Sequence, residues 1–134
     1  MTTERGLLDT NVLILLARLR PAELPAQPMI STVTLAELAV GPLATDDPIE
    51  AARRLEHLRF AEQSFEPLPF DTAAARAFGS VAAALRRRRR KATARSFDAM
   101  IAAVALANRL DLYTVNADDF VDIDGLAVHA VAVP

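Results

Sequence analysis

Cysteine is absent from this 134-residue chain, and histidine occurs only at His57 and His129. The first absence excludes disulfide frameworks, thiol nucleophiles, iron–sulfur clusters and cysteine-built zinc sites, and it favours a reducing compartment. The second excludes a histidine-rich metal centre. Long apolar runs are lacking as well: residues 12–17, like the nine residues 99–107, fall far short of the roughly 18 residues of a membrane span. The first residues include Arg5 but no extended apolar region or small-residue cleavage site of a signal peptide, which sets the expectation of a cytoplasmic protein. Internal repeats and Gly/Ser linkers are missing too, so one domain over residues 1–134 is expected.

What is present is a chain able to bury a core, with 52% hydrophobic residues and mean hydropathy +0.21. Its net charge of −2 argues against a general nucleic-acid coat protein. The distribution is uneven. Arg86, Arg87, Arg88, Arg89, Arg90, Lys91 and Arg95 place +7 within ten residues and leave −9 for the remainder. One basic segment therefore sits on an acidic body.

Short apolar runs alternate with helical patterns. Residues 7–8 and 29–30 are apolar and end in polar or capping residues, Asp9 in the first case and Ser31-Thr32 in the second. Helical character follows over residues 11–20 and 33–40, the latter stopped by Gly41-Pro42. Ile49, Ala52, Leu55 and Leu58 mark one face of a helix over residues 48–61. Residues 65–70 contain Pro67 and Pro69, so a strand there must be short and peripheral. Asp71-Thr72 caps a long helix running into the arginine block, with Ala75, Phe78, Val81, Ala82 and Leu85 inward. A further helix covers 97–109, and residues 112–115 and 126–133 are the last strand candidates. The alternation implies an α/β fold with a mainly parallel sheet.

In such sheets sites form where strands end and helices begin. Asp9 follows the first strand, Glu37 lies within two turns of the start of the second helix, and Asp98 is near the start of the helix at 97–109. Asn116, Asp118 and Asp119 follow the strand at 112–115. Convergence would gather several carboxylates, and like charges brought together either take protons or bind cations. Oxygen donors without His or Cys select hard ions, Mg²⁺ or Mn²⁺, which activate water and neutralise a phosphodiester. Each acid also has a bland explanation: Asp9 as a helix N-cap, Glu37 in a capping box with Thr34, Asp98 beside a helix N-terminus, Asp118-Asp119 as a turn.

The segments Leu7-Leu8-Asp9-Thr10-Asn11 and Ser31-Thr32-Val33-Thr34-Leu35-Ala36-Glu37-Leu38 resemble the opening of PIN-domain proteins. Phe97-Asp98-Ala99-Met100-Ile101-Ala102-Ala103 and Tyr113-Thr114-Val115-Asn116-Ala117-Asp118-Asp119-Phe120 resemble the family's third and fourth blocks. Order, spacing and length are similar to VapC toxins of toxin–antitoxin pairs over essentially the whole chain. The resemblance implies a three-layer α/β/α fold around a central, mainly parallel five-stranded sheet, and Mg²⁺- or Mn²⁺-dependent endoribonuclease activity on an RNA such as tRNA or rRNA. It also implies a homodimer neutralised by a small VapB-like antitoxin. Asp9 and Asp98 map to metal ligands, Glu37 to a metal or water ligand, and Thr10 to a supporting hydroxyl. The fourth acidic position falls on Asn116, and Asp118 stands two residues on as its substitute.

The basic run from Arg86 to Lys91 is read as an RNA-phosphate contact, against a solvated helix end suited to the macrodipole. His57 and His129 are read as structural or surface residues. A phosphoacceptor receiver is excluded because Asp9 lacks an acidic neighbour and the sole lysine is in the arginine run. The remaining alternative is a non-catalytic PIN-like domain that binds RNA or a partner, which Asn116 favours.

Overall fold

The computed structural model describes residues 4–87 and 96–134. Strands β1 (Arg5–Leu8), β2 (Gln27–Met29), β3 (Asp111–Thr114) and β4 (Val128–Ala130) form one sheet in the order β2-β1-β3-β4, and every neighbouring pair is parallel. Helix α1 (Thr10–Ile14) follows β1, while α2 (Thr32–Val40), α3 (Pro48–Ser64), α4 (Thr72–Arg87) and α5 (Ser96–Ala107) lie between β2 and β3.

The α/β class agrees with expectation, but the sheet has four strands rather than five. In the segment 65–70 only Leu68 pairs, in a single bridge to Ser31. Its N–H donates to the Ile30 carbonyl at 2.9 Å and its carbonyl accepts from the Thr32 N–H at 2.8 Å. Pro67 and Pro69 on either side have no N–H to give, so the ladder stops at one rung. The helical pattern expected over 11–20 is also shorter than read: α1 ends at Ile14, and a 3₁₀ turn, Leu16–Arg18, takes over.

Register and alternation sort the core into two layers. Leu7 pairs with Leu112, and both pack beneath α4 and α5 with Val81, Ile101 and Val104. Leu8 pairs with Tyr113, and both face the opposite layer with Val12, Leu13, Leu38 and Ala61. All four strand residues are fully buried, which for side chains of this size is worth roughly 1.5–3 kcal/mol each. Gly6 is required on β1 because a Cβ there would overlap the Tyr113 ring.

The expected inward face of α4 holds at Val81 and Leu85, and Phe78 packs against the core, but Ala74 stands in place of Ala75. Ala74, Val81, Ala84 and Leu85 are buried, whereas Ala75 is exposed and Phe78 and Ala82 are half-buried. In an alanine-rich helix the periodicity does not distinguish neighbouring alanines, which point about 100° apart.

Candidate functional site

The strand order reverses between β1 and β3, since the chain leaves β1 for one side of the sheet and returns through β3 on the other. A crevice therefore opens at the carboxyl ends of these two strands. The described residues that are polar and buried are Asp9, Thr10, Ser31, Thr34 and Thr114, and all five lie at the carboxyl ends of β1, β2 and β3 or the first turn of the following helix. Burying polar groups costs free energy unless each is hydrogen-bonded. No buried side-chain N or O among the described residues lacks a partner.

Continuing the β1–β3 register by one residue sets Asp9 opposite Thr114, on the face that α4 and α5 cover. The Thr114 hydroxyl donates to Asp9 Oδ2, and Asp9 Oδ1 accepts the Val12 N–H at 3.0 Å. Asp9 is thus the N-cap of α1 and something more, because a cap needs only one oxygen. The Thr114 oxygen in turn accepts the Asn116 N–H at 3.0 Å.

Glu37 is held by a different hydroxyl. Thr10 Oγ1 donates to Glu37 Oε1 at 2.7 Å and lies 3.1 Å from Thr34 Oγ1. A hydroxyl has one proton, so Thr34 must be the donor to Thr10, giving a chain Thr34→Thr10→Glu37. The capping box suggested for Thr34 and Glu37 is not formed: Ser31 caps α2, its hydroxyl oxygen accepting the Thr34 N–H at 3.2 Å.

Burial pushes the Asp9 carboxyl up from the usual aspartate range, and the charge of Glu37 pushes the same way. The bonds from Thr114 and the Val12 N–H pull it back. Among the described residues neither Asp9 nor Glu37 has an ion-pair partner. Two neighbouring carboxylates, one buried, with hydroxyls as their companions, make an oxygen-only donor set that suits a hard divalent cation.

Asp98 lies in the first turn of α5, half-buried, as expected. Asn116 is exposed just beyond β3, and Asp118 and Asp119 fall in a 3₁₀ turn, Ala117–Phe120, with Asp118 exposed and Asp119 half-buried. The structure brings Asp9 and Glu37 together through Thr10. It does not gather three Asp, Glu or His side chains into one metal-holding group among the described residues. Arg86 and Arg87 are exposed at the end of α4, and the reading of Arg88, Arg89, Arg90 and Lys91 falls outside the described residues.

A cavity of about 250 Å³ opens beside Glu37 and Thr10, and α3 supplies its other wall through Glu50, Arg53, Arg54 and His57. Sequence reasoning missed this wall and set His57 aside. His129, by contrast, is structural: its ring stacks on Tyr113 at 4.3 Å and its Nε2 lies 2.8 Å from Asp111 Oδ2. Thr34 and Thr114 were missed as well. The available signal was a hydroxyl closing an apolar run, as Thr114 closes Leu112-Tyr113.

Residues 6–126 match the family model described as PIN domain. The chain is 37% identical over 129 residues to ribonuclease VapC5 of Mycobacterium tuberculosis, covering 94% of this chain and 93% of that one. It is 35% identical over 121 residues to ribonuclease VapC4 of the same organism, covering 88% and 91%. Among solved structures, the M. tuberculosis VapBC-5 complex, a member of the VapBC family of toxin–antitoxin systems, superposes with a TM-score of 0.77 at 39% identity over 97% of this chain and 99% of that chain. The chain belongs to the PIN-domain family, as a VapC-type member.

Proposed function

We propose that this protein is a VapC-like toxin: a Mg²⁺- or Mn²⁺-dependent endoribonuclease that hydrolyses RNA phosphodiester bonds and is neutralised by a small VapB-like antitoxin. The observation that carries this reading is Asp9. It is a buried carboxylate at the switch point of the sheet, with a second carboxylate beside it and no cationic partner among the described residues. The names of VapC4 and VapC5 as ribonucleases, and of the solved relative as a VapBC complex, support the same activity and partner.

Asp9, Glu37 and Asp98 would hold the ion, and Asp118 would add charge at the rim where Asn116 has none. A bound ion supplies activation of water and neutralisation of charge on the phosphodiester. The chain's own part is preorganisation. Thr114 and the Val12 N–H fix both oxygens of Asp9, leaving each with spare lone pairs. Thr10 fixes Glu37, and the Asn116 N–H orients the Thr114 hydroxyl. Arg86, Arg87, Arg88, Arg89, Arg90 and Lys91 would contact RNA phosphates, and two copies would form a homodimer.

Asn116 favours a second reading, a PIN-like domain that binds RNA or a partner without cutting it. RNA cleavage by the full chain, purified free of antitoxin and titrated with Mg²⁺ or Mn²⁺, separates the two. The proposed function expects metal-dependent cleavage that Asp98→Asn abolishes. Full activity of purified Asp98→Asn protein, or no cleavage at any metal concentration, overturns it.

A further inference from the structure

The cavity beside Glu37 has walls of opposite character. On one side Thr10 and Glu37 belong to the acid site; on the other, α3 presents Glu50, Arg53, Arg54 and His57. The α3 wall is built rather than incidental. Glu50 Oε2 accepts from Arg53 Nε at 3.0 Å, while Oε1 accepts from Arg53 Nη2 at 2.5 Å and from Arg54 Nε at 3.0 Å. Arg54 Nη1 also donates to the Gly41 carbonyl at 3.0 Å, tying α3 to the end of α2. The hydrogen bonds from Arg53, with those from Arg54, hold the Glu50 carboxyl down at about 2, so it is anionic near neutral pH.

The charge count decides what this wall can accept. Two guanidiniums share one carboxylate, so the α3 wall keeps one positive charge, with the Glu37 carboxylate on the opposite wall of the same cavity. Arg53 Nη1, Arg54 Nη2 and the His57 ring make no hydrogen bond to any described residue. A phosphodiester carries a single negative charge and oxygens suited to guanidinium N–H donors. A volume of about 250 Å³ admits a nucleotide-sized fragment and little more.

We propose that the pocket between α2 and α3 is a substrate subsite in which Arg53 and Arg54 bind a backbone phosphate of single-stranded RNA neighbouring the bond to be cut, with His57 on its wall. This inference rests on the acid site being that of a ribonuclease, because Glu37 and Thr10 are shared by both. Glu50 is then a positioning residue: it touches no substrate but holds the two long side chains of Arg53 and Arg54 at the pocket wall.

The test is binding of a short fluorescent single-stranded RNA to the full chain in EDTA, across a salt series, with cleavage measured separately after adding Mg²⁺. Arg53→Gln, at an exposed position, and Arg54→Ala are compared with the parent after thermal melts establish that each is folded. The expected result is several-fold weaker binding and a log–log salt slope shallower by about 0.7 for each RNA phosphate that the variant no longer neutralises. Replacing one RNA linkage by an uncharged methylphosphonate should reproduce that weakening in the parent, and the Arg53→Gln protein should no longer respond to it. An unchanged slope in folded Arg53→Gln protein overturns the subsite, even if the parent cleaves RNA. So does an unchanged slope combined with abolished antitoxin binding, which makes the wall a protein-docking surface. A shallower slope in Arg53→Gln than in the parent, when the parent never cleaves RNA, supports the phosphate site and overturns the ribonuclease reading instead.

Discussion

The hydroxyl of Thr114, at the end of β3, donates to a carboxylate oxygen of Asp9, 105 residues earlier in the chain. This bond spans the point where the sheet changes direction, and it lowers the pKa that burial raises. Thr114→Val keeps the shape and removes the donor, leaving a buried carboxylate oxygen unsatisfied at a cost of roughly 1–3 kcal/mol. With that lowering contribution gone, Asp9 protonates at higher pH. The acidic limb of the pH–activity profile should move up, and Thr114→Ser should return it. An unmoved limb in folded Thr114→Val protein would show that Asp9 does not govern activity.

Asp9→Asn should separate stability from function. Because the folded-state pKa of Asp9 lies above its unfolded value, the folded state prefers the protonated form. Stability from this residue is fully present below the unfolded value and is lost as pH rises through the folded one. The amide can still accept the Val12 N–H, and its NH₂ can donate to the Thr114 oxygen. In EDTA the variant should therefore melt at a higher temperature than the parent at about pH 8, and the two should converge well below about pH 4, where aspartate becomes neutral in the unfolded state as well. Mg²⁺ should raise the melting temperature of the parent and not of the variant, which should also be inactive. A variant less stable than the parent at every pH contradicts this.

Thr34 acts on Glu37 through Thr10, without reaching the site itself. Thr34→Val should lower kcat about tenfold, equivalent to roughly 1.4 kcal/mol of barrier, with KM little changed. Thr34→Ser should recover most of it. Loss of thermal stability with kcat intact would make the hydroxyl chain purely structural.

Asp118 and Asp119 should respond differently. Asp118, exposed at the rim, is expected to raise the Mg²⁺ concentration needed for cleavage when changed to Ala. Asp119 is half-buried in the turn Ala117–Phe120, which ends on the buried Phe120, so truncating its side chain in Asp119→Ala should act on stability through the turn. Identical metal titrations for Asp118→Ala and the parent would remove Asp118 from the site.

The residues that were legible in the sequence are those whose local pattern is unambiguous. Asp9 follows an apolar run and precedes a helix; Ser31 and Asp71 are small polar residues in front of helical periodicity, and each caps its helix. The strands around Leu7, Met29 and Leu112 were marked by apolar residues ending in polar ones. What escaped depends on contacts between distant segments. Nothing near Thr114 in sequence says that its hydroxyl meets Asp9, and nothing near His57 says that α3 turns it toward Glu37. The fifth strand failed for a local reason that was visible, two prolines bracketing Leu68, but whose outcome depends on how much of the neighbouring edge is free to pair. On α4 the many alanines left the inward face undetermined by one residue.

The pairing of Leu7 with Leu112 and of Leu8 with Tyr113 has a consequence for precision at the crevice. Slipping β1 against β3 by one residue would send every side chain of the strand to the opposite face. Here both faces are buried, so such a slip would disrupt both hydrophobic layers at once, and Gly6 would no longer sit where the Tyr113 ring needs its space. The alignment of Asp9 with Thr114 is therefore enforced by bulk apolar packing well below the polar groups themselves. Error correction is delegated to greasy residues, and the few hydroxyls above them are left to tune the charge.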